Sequence, residues 1–450
     1  MHMPTLPRLL RRSFLQTVSL LLPVVGATWP RAAAELPARK PNFIFIMMDD
    51  MSWGDVACFG QPYAKTPHLD SLAANGCKFT QFYVGESVCA PSRSALMIGR
   101  MPNKAGKPNN GAPRLDPALP NVNNLLKAAG YATGHFGKWH LAKGFALPVG
   151  YPQSVVERNE YKIDDWLLFT GPGPTVAKTV TDAALGFIDR NTNTPFHLNI
   201  WYLWPHLGVN PSPEQVAVYD DVLDPADPKK RVDVTKFHPT TQAKYKQIKE
   251  KHPEYDLTLK MKRYLATITD ADTQVGRILA KLEALNLSKD TLVVFCSDNG
   301  AVANNITSVT SHDMWPANAG PYRGGKFEHR EGGIRMTCLA QWKGRMKGGQ
   351  VNDSLWRIVD WLPTVCALAG VKTDSINLDG QNVSDILLGA QRERTEPIFW
   401  QGAVREGNWK LVKGELYNLE TDPSEQNDLA KKEPERAQRM SGLVQERLKK

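Results

Sequence analysis

Cysteine is scarce, with six residues in a chain of 450. That is too few for a disulfide scaffold, and a chain of this length buries a sizeable core without covalent staples. Neither sign of charge dominates: Lys and Arg number 55 against 46 Asp and Glu, a formal +9. No internal repeat and no low-complexity tract is present, and the near-average composition argues against a disordered, collagen-like or coiled-coil chain. Long apolar runs are missing apart from one stretch near the N-terminus. What is there, 42% hydrophobic and 22% charged residues with 34 Gly and 32 Pro, describes a folded protein. At roughly 100–200 residues per domain, it has one large domain or two to three smaller ones.

Residues 1–34 read as a targeting peptide. Arg8, Arg11 and Arg12 precede an apolar run from Phe14 to about Trp29, and small residues at Ala32 and Ala34 come before Glu35. That is the order of a secretory signal. Gln16, Pro23 and Gly26 interrupt the run, which weakens a membrane-span reading. Arg11-Arg12-Ser13-Phe14-Leu15-Gln16 resembles a twin-arginine signal; an ordinary signal with two arginines is the alternative. No Cys follows the small residues, which argues against a lipoprotein anchor. The expectation is an exported protein, periplasmic or secreted, with its leader removed. Losing four arginines from a net +9 leaves +5, far from the dense basic face that nucleic-acid binding requires.

Asn42–Met48, Phe196–Leu203 and Thr291–Cys296 are continuous apolar runs of the kind buried on both faces of a sheet. A strand from Tyr131 to about Phe136 follows a helix that Gly130 caps. Helices are expected near Leu69–Ala74, from Pro91–Ser92 to Ile98, and over Val122–Ala129. Met261, Leu265, Ile268, Val275, Ile278, Leu279 and Leu282 recur at helical spacing and mark one long amphipathic helix. Alternating helices and buried strands predict an α/β fold with a large, mostly parallel sheet flanked by helices. Residues 208–256 read as a polar surface excursion. From about Glu396, short strands at Pro397–Trp400, Trp409–Val412 and Leu416–Asn418 and a charged helix from about Pro434 predict a small α+β subdomain. The expected division is therefore 1–34, 35–395 and 396–450.

Chemistry-bearing residues gather just past the strands. Asp49-Asp50 and Asp298-Asn299 each follow a buried run, where ligands sit in open α/β sheets. Together they would make a hard-oxygen site for Ca²⁺ or Mg²⁺, although such residues also simply start turns. Cys89 stands at the mouth of a helix, as a low-pKa nucleophile or as a buried structural thiol. Lys138 and His140 flank Trp139; if the chain stays extended, they point the same way as an anion clamp plus a titratable group, and otherwise they are solvated. His206 follows another strand, and Lys326 sits in Arg323-Gly324-Gly325-Lys326, where glycine lets backbone approach a ligand. His312, Trp315, Arg323, His329 and Arg330 cluster in sequence near Lys326 and are candidate substrate contacts or a solvated loop. Cys58, Cys77, Cys296, Cys338 and Cys366 read as structural thiols, with a Cys58–Cys77 disulfide left open.

In this order the segments resemble the sulfatase family that uses formylglycine. Cys89-Ala90-Pro91-Ser92-Arg93 matches its C-x-P-S-R signature, and Gly137-Lys138-Trp139-His140-Leu141 is similar to its second signature. Pro41-Asn42 through Asp49-Asp50, Pro205-His206, Ser297-Asp298-Asn299-Gly300 and Gly324-Gly325-Lys326 complete the series. The resemblance implies an alkaline-phosphatase-like fold and hydrolysis of sulfate esters, and the logic of export favours esters of a carbohydrate. It implies that Cys89 is oxidised to formylglycine by a maturation enzyme before folding, and that its hydrate is the nucleophile. It implies a divalent cation, Ca²⁺ ahead of Mg²⁺, held by Asp49, Asp50, Asp298 and Asn299 with the modified Cys89. Lys138 and Lys326 would neutralise sulfate oxygens, His206 or Lys326 would protonate the leaving oxygen, His140 would take the proton from the second hydroxyl, and Arg93 would hold the formylglycine. The sequence departs from the family at Gly208, Phe327 and Thr337, where Pro, Gly and Pro are usual. A phosphomonoester or phosphodiester hydrolase of the same superfold, and an inactive glycan-binding relative, are the alternatives.

Overall fold

The computed structural model describes residues 39–102, 108–109, 112–113, 115–141, 155–169, 173–206, 208–302 and 313–449. The leader read at 1–34, and His312, lie outside the described residues. No described helix is long and apolar enough to cross a membrane.

An eight-stranded sheet forms the centre, in the order Gln350–Asn352, Cys77–Phe79, Cys338–Gln341, Thr291–Ser297, Asn42–Met48, Phe196–Trp201, Ala132–Gly137 and Asp165–Leu168. The last five are parallel, and Cys338–Gln341 runs antiparallel to both its neighbours. Asn42–Met48 lies in the middle, and its apolar run follows from that place. Phe43, Phe45 and Met47 enter one core, while Ile44, Ile46 and Met48 enter the other. Alternation thus feeds two hydrophobic layers at once. The long helix, Leu257–Ala284, packs its stripe of Met261, Leu265, Ile268, Val275, Ile278 and Leu282 on one side of the sheet. Asp256 caps it by accepting from the Leu259 amide at 2.9 Å.

One expectation needs correction, and one open question is answered. Residues 208–256 are not a mere surface excursion. They form helices at Pro213–Ala217 and Pro239–Lys251, and Tyr219, Leu223, Phe237, Tyr245, Ile248 and Tyr255 are buried in the same core as the long helix. Widely spaced aromatic anchors among Lys and Pro carry no periodicity, so pattern reading misses them. Nor do Cys58 and Cys77 pair; both are free thiols. Beyond the main sheet, Ile398–Trp400, Ala403–Glu406, Trp409–Val412 and Glu415–Asn418 make a four-stranded antiparallel meander. The helix Pro434–Lys449 packs on it through Met440.

Candidate active site

The parallel strands end together, and their ends are stitched by backbone hydrogen bonds. The Asp49 amide donates to the Trp204 carbonyl at 3.0 Å, Asp298 to Met48 at 3.2 Å, Tyr202 to Met47 at 2.9 Å and Lys138 to Trp201 at 2.9 Å. Residues adjoining four strands are thereby forced into one small space, although they lie far apart in sequence. Asp50 turns the chain with a left-handed φ of 63°, and its amide donates to Asp298 Oδ1 at 3.1 Å. At the last residue of its strand, Gly137 has φ 110°, and a Cβ there would stand 2.0 Å from the Trp201 carbonyl oxygen. Only glycine permits that approach.

Cys89 opens the helix Cys89–Ile98, and no side chain caps the N-terminus. Arg93 lies four residues on, hence on the same helical face. Its guanidinium is fully buried. It donates through Nε to Asp298 Oδ2 at 2.8 Å, and Nη2 lies 2.6 Å from that same oxygen and 3.6 Å from Asp49 Oδ1. Trp201 presents its ring 5.0 Å beneath. Arg93 therefore organises the carboxylates rather than only the Cys89 side chain. Lys138 Nζ donates to Asp49 Oδ2 and Lys326 Nζ to Asp50 Oδ2, each at 2.6 Å. His206 Nε2 is 3.6 Å from Asp50 Oδ2, and His140 Nδ1 is 3.4 Å from Cys89 Sγ.

Lys138 and His140 do converge, but not as alternate residues of an extended chain. His140 has φ 57°, so a left-handed turn, not strand periodicity, brings it to Cys89. The other candidates are placed differently. Arg323 Nη1 donates to the Glu425 carbonyl at 2.8 Å. Arg330 pairs with Glu415 and reaches Tyr417, and His329 pairs with Glu86. Arg323 and Arg330 also line a cleft of about 840 Å³, together with Ser52, Lys244, Ala301 and Tyr322. Trp315 is fully buried against Tyr255 and His252, so it offers no surface to a substrate.

Some supporting residues escape sequence reading. Ser297 Oγ accepts from the Met51 amide at 3.0 Å and donates to the Asn299 carbonyl at 3.0 Å; its place directly before Asp298 is the one available signal. Buried Asp55 accepts from the amides of Ser52 and Asn318, each at 2.7 Å, and from Tyr264 Oη at 2.6 Å. Thr337, one of the departures, donates to the Trp53 carbonyl at 2.6 Å, a bond proline has no hydroxyl to make. All three steady the loop that follows Asp50.

Electrostatics follow from burial. Burial would raise Asp49, yet Lys138, His206 and Arg93 hold its carboxyl well below the usual range. Burial pushes Asp298 up; Arg93 opposes this, and the neighbouring charges of Asp49 and Asp50 add to it. Burial also raises the Cys89 thiol despite Lys138, so the helix mouth does not deliver a thiolate. The His140 ring is lowered to about 3 by burial and by Lys138, and His206 is lowered chiefly by burial. Burial would lower Lys326, but Asp50 more than offsets it and keeps the ammonium charged.

Two acceptors stand out. Asp49 Oδ1 and Asn299 Oδ1 are buried and accept no hydrogen bond, which is uncommon in native proteins. Asp49, Cys89 and Asp298 also bring ligand atoms within 4.8 Å of one another. Hard oxygen donors with unfilled acceptors in a carboxylate-rich pocket fit a divalent cation.

A doubly flanked, mostly parallel sheet with such a pocket at its strand ends defines a hydrolase of the alkaline-phosphatase-like fold. The family model described as "Sulfatase" matches residues 41–371. Arylsulfatase A of Homo sapiens is 31% identical, with 84% of this chain and 76% of that protein covered. An N-acetylgalactosamine-6-O-sulfatase of Bacteroides thetaiotaomicron is 26% identical over 91% of this chain and 93% of its own length. Among solved structures, that of Ps i-CgsB with k-i-k-neocarrahexaose superposes with a TM-score of 0.72 at 25% identity, covering 91% of this chain and 92% of the other. A phosphonate monoester hydrolase of Agrobacterium radiobacter, 19% identical with a TM-score of 0.64 over 91% and 95% of the two chains, shares the fold. The chain belongs to the sulfatase family and is a sulfuric ester hydrolase.

Proposed function

We infer that the protein hydrolyses sulfate esters of carbohydrates through a formylglycine made from Cys89. The observation that carries this is the setting of Cys89: a buried side chain 3.4 Å from His140 whose ionisation burial opposes, in a pocket of three carboxylates and two unfilled acceptors. A thiolate mechanism does not suit it, whereas an aldehyde hydrate at the same Cβ does. One hydrate hydroxyl, giving its proton to a neighbouring carboxylate, attacks sulfur, and the bond from sulfur to the alcohol oxygen breaks. His206, whose Nε2 lies 3.6 Å from Asp50 Oδ2, would give that oxygen a proton. Lys326 is less suited to the task, because Asp50 holds its charge; it serves with Lys138 to neutralise sulfate oxygens. His140 then takes the proton of the second hydroxyl, the carbon–oxygen bond to sulfate breaks, and the aldehyde returns.

Asp49, Asp50, Asp298 and Asn299 would hold a divalent cation, with Ca²⁺ preferred to Mg²⁺ because the donors are carboxylate and amide oxygens in an irregular array. When bound, such an ion offsets negative charge on the nucleophile and on sulfate oxygens. Arg93, Lys138 and Lys326 keep the carboxylates aligned, and Lys138 with Arg93 favours the charged form of Asp49. Carbohydrate esters are favoured because relatives are named for N-acetylgalactosamine sulfate and one solved relative holds a neocarrahexaose. Arg323, Arg330 and the cleft beside them, with His329 and the stretch that includes His312, would receive the rest of the glycan. The leader sequence supports export to the periplasm or beyond, and a formylglycine-generating enzyme is the required partner.

Mass analysis of the Cys89 peptide from active protein tests this reading. Loss of the thiol with gain of an aldehyde is expected, and active protein with only unmodified thiol would overturn it. Sulfated sugars should release sulfate faster than matched phosphates release phosphate. The opposite preference would support the phosphoester reading, which the shared fold of the phosphonate hydrolase keeps in view.

A further inference from the structure

Phe327 is the only exposed aromatic side chain among the described residues, at 57% exposure. It also has a φ of 70°, a backbone region that bulky L-residues rarely enter. Folding gains little from either property. The ring is largely unburied, and glycine would take the same turn without strain. The backbone there is held from several sides. The Lys326 amide donates to the Ala301 carbonyl at 2.9 Å, the Phe327 amide to the Ser87 carbonyl at 2.9 Å, and the Glu328 amide to Gly325 at 3.0 Å. The ring is thus presented at a defined place, and strained conformations that surroundings over-determine gather at ligand sites.

That place is the rim of the active site. Ser87 lies two residues before Cys89, and the Lys326 ammonium, which bonds Asp50, is 5.6 Å from the Phe327 ring centroid. A group whose sulfate lies against Lys326 would bring its first carbons to the Phe327 ring. We propose that Phe327 is a specificity-determining platform on which the apolar face of the sulfated pyranose ring stacks. The platform sets a preference for ring-bearing esters over acyclic ones. A pyranose has a face of C–H groups that loses water favourably against an aromatic face. Its hydroxyl edge would remain free to meet His329 and Glu86, which pair nearby. This rests on the sulfate-ester reading given above.

The test compares the wild type with Phe327→Gly and Phe327→Trp. The substrates are n-propyl sulfate and the monosulfated hexopyranoside that the wild type turns over fastest in a panel. The ratio of kcat/KM for the sugar ester to that for the propyl ester should fall about tenfold in Phe327→Gly, mostly through KM, and return in Phe327→Trp. The thermal midpoint of Phe327→Gly should not drop, because a strained turn has been relieved. An equal loss on both esters would overturn the proposal and make the ring a support for Lys326, and an unchanged ratio would overturn it outright. Calorimetric titration with each monosulfated hexopyranoside of the panel, whether or not it is turned over, separates the two readings. Binding by the wild type without turnover of either ester would defeat the sulfatase reading, while about tenfold weaker binding by Phe327→Gly would still uphold the stack; no binding by the wild type would overturn the stack.

Discussion

At the ends of the central strands, Asp49, Asp50 and Asp298 face Arg93, Lys138 and Lys326. Beside the C-terminal meander, Glu331 and Glu425 face Lys410, Arg335 and Arg405. Both clusters are buried, and both draw on residues far apart in sequence. They differ in how they are finished. Glu331 has a partner on each oxygen: Lys410 Nζ at 2.8 Å on one, and Tyr83 Oη at 2.6 Å and Arg335 Nη1 at 3.4 Å on the other. Lys410 also lies 3.0 Å from Glu425, whose other oxygen accepts from the Glu331 amide at 2.8 Å. Arg405 reaches the Tyr83 hydroxyl from the meander. Glu425 Oε1 makes no hydrogen bond but has the Lys410 ammonium at 3.0 Å, whereas the first cluster leaves Asp49 Oδ1, with Arg93 no nearer than 3.6 Å, and Asn299 Oδ1 without a hydrogen bond. A cluster that only joins elements closes every acceptor of its central carboxylate; one prepared for a ligand keeps acceptors back.

The largest effect expected from breaking this contrast is on turnover. Cys89→Ala, and separately Asp298→Ala or chelation, should lower kcat by about 10⁴-fold or more while the folded state survives; steady-state kinetics with circular dichroism would show it. Lys410→Met should do the reverse. Removing Lys410 leaves Glu425 buried without its counter-ion and Glu331 with Arg335 and Tyr83 on one oxygen only, at a cost of about 3–5 kcal/mol in urea unfolding. Nearly normal turnover by whatever remains folded would confirm that this cluster joins rather than reacts.

A third buried acid sharpens the comparison. Asp272 is held by the backbone amides of Leu69 at 2.7 Å and His68 at 3.3 Å, and burial pushes it up to about 6 from 3.8. The folded state therefore holds this proton more tightly than the unfolded chain. Stability from this group is greatest below about pH 4, falls as pH rises through about 6, and is flat above. At about 1.4 kcal/mol per unit the fall is about 3 kcal/mol. Asp272→Asn should flatten that slope, as followed by urea midpoints at a series of pH values. The smallest effect concerns His206. His206→Gln should slow an alkyl sulfate about 100-fold and an aryl sulfate with a good leaving group much less, in parallel assays.

Much of this was legible in the sequence because the reacting residues adjoin strongly patterned elements. Asp49-Asp50 and Asp298-Asn299 follow apolar runs that the sheet buries on both faces, so their place at the strand ends follows from the run itself. Cys89 and Arg93 share a helical face by spacing. The resemblance to sulfatases added the ordering of the six segments. What was hidden depends on tertiary contact or on φ. His140 arrives through a left-handed turn, Phe327 is exposed by another, and the aromatic anchors of 208–256 have no period. The pairing of Lys410 with Glu331 joins positions 79 residues apart, which no local pattern records.

The close approach of Gly300 to residue 332, where a Cβ would stand 2.0 Å from the Gly332 oxygen, ties the Asn299 loop to the short stretch that also bears Glu331. Glu331 in turn waits for Lys410 as its buried counter-ion. Synthesis proceeds from the N-terminus, so the stretch joining Lys326, Glu331 and Asn299 is settled only when nearly the whole chain has been made. A chain stopped short of residue 410 is therefore expected to carry the signatures of the family without its activity.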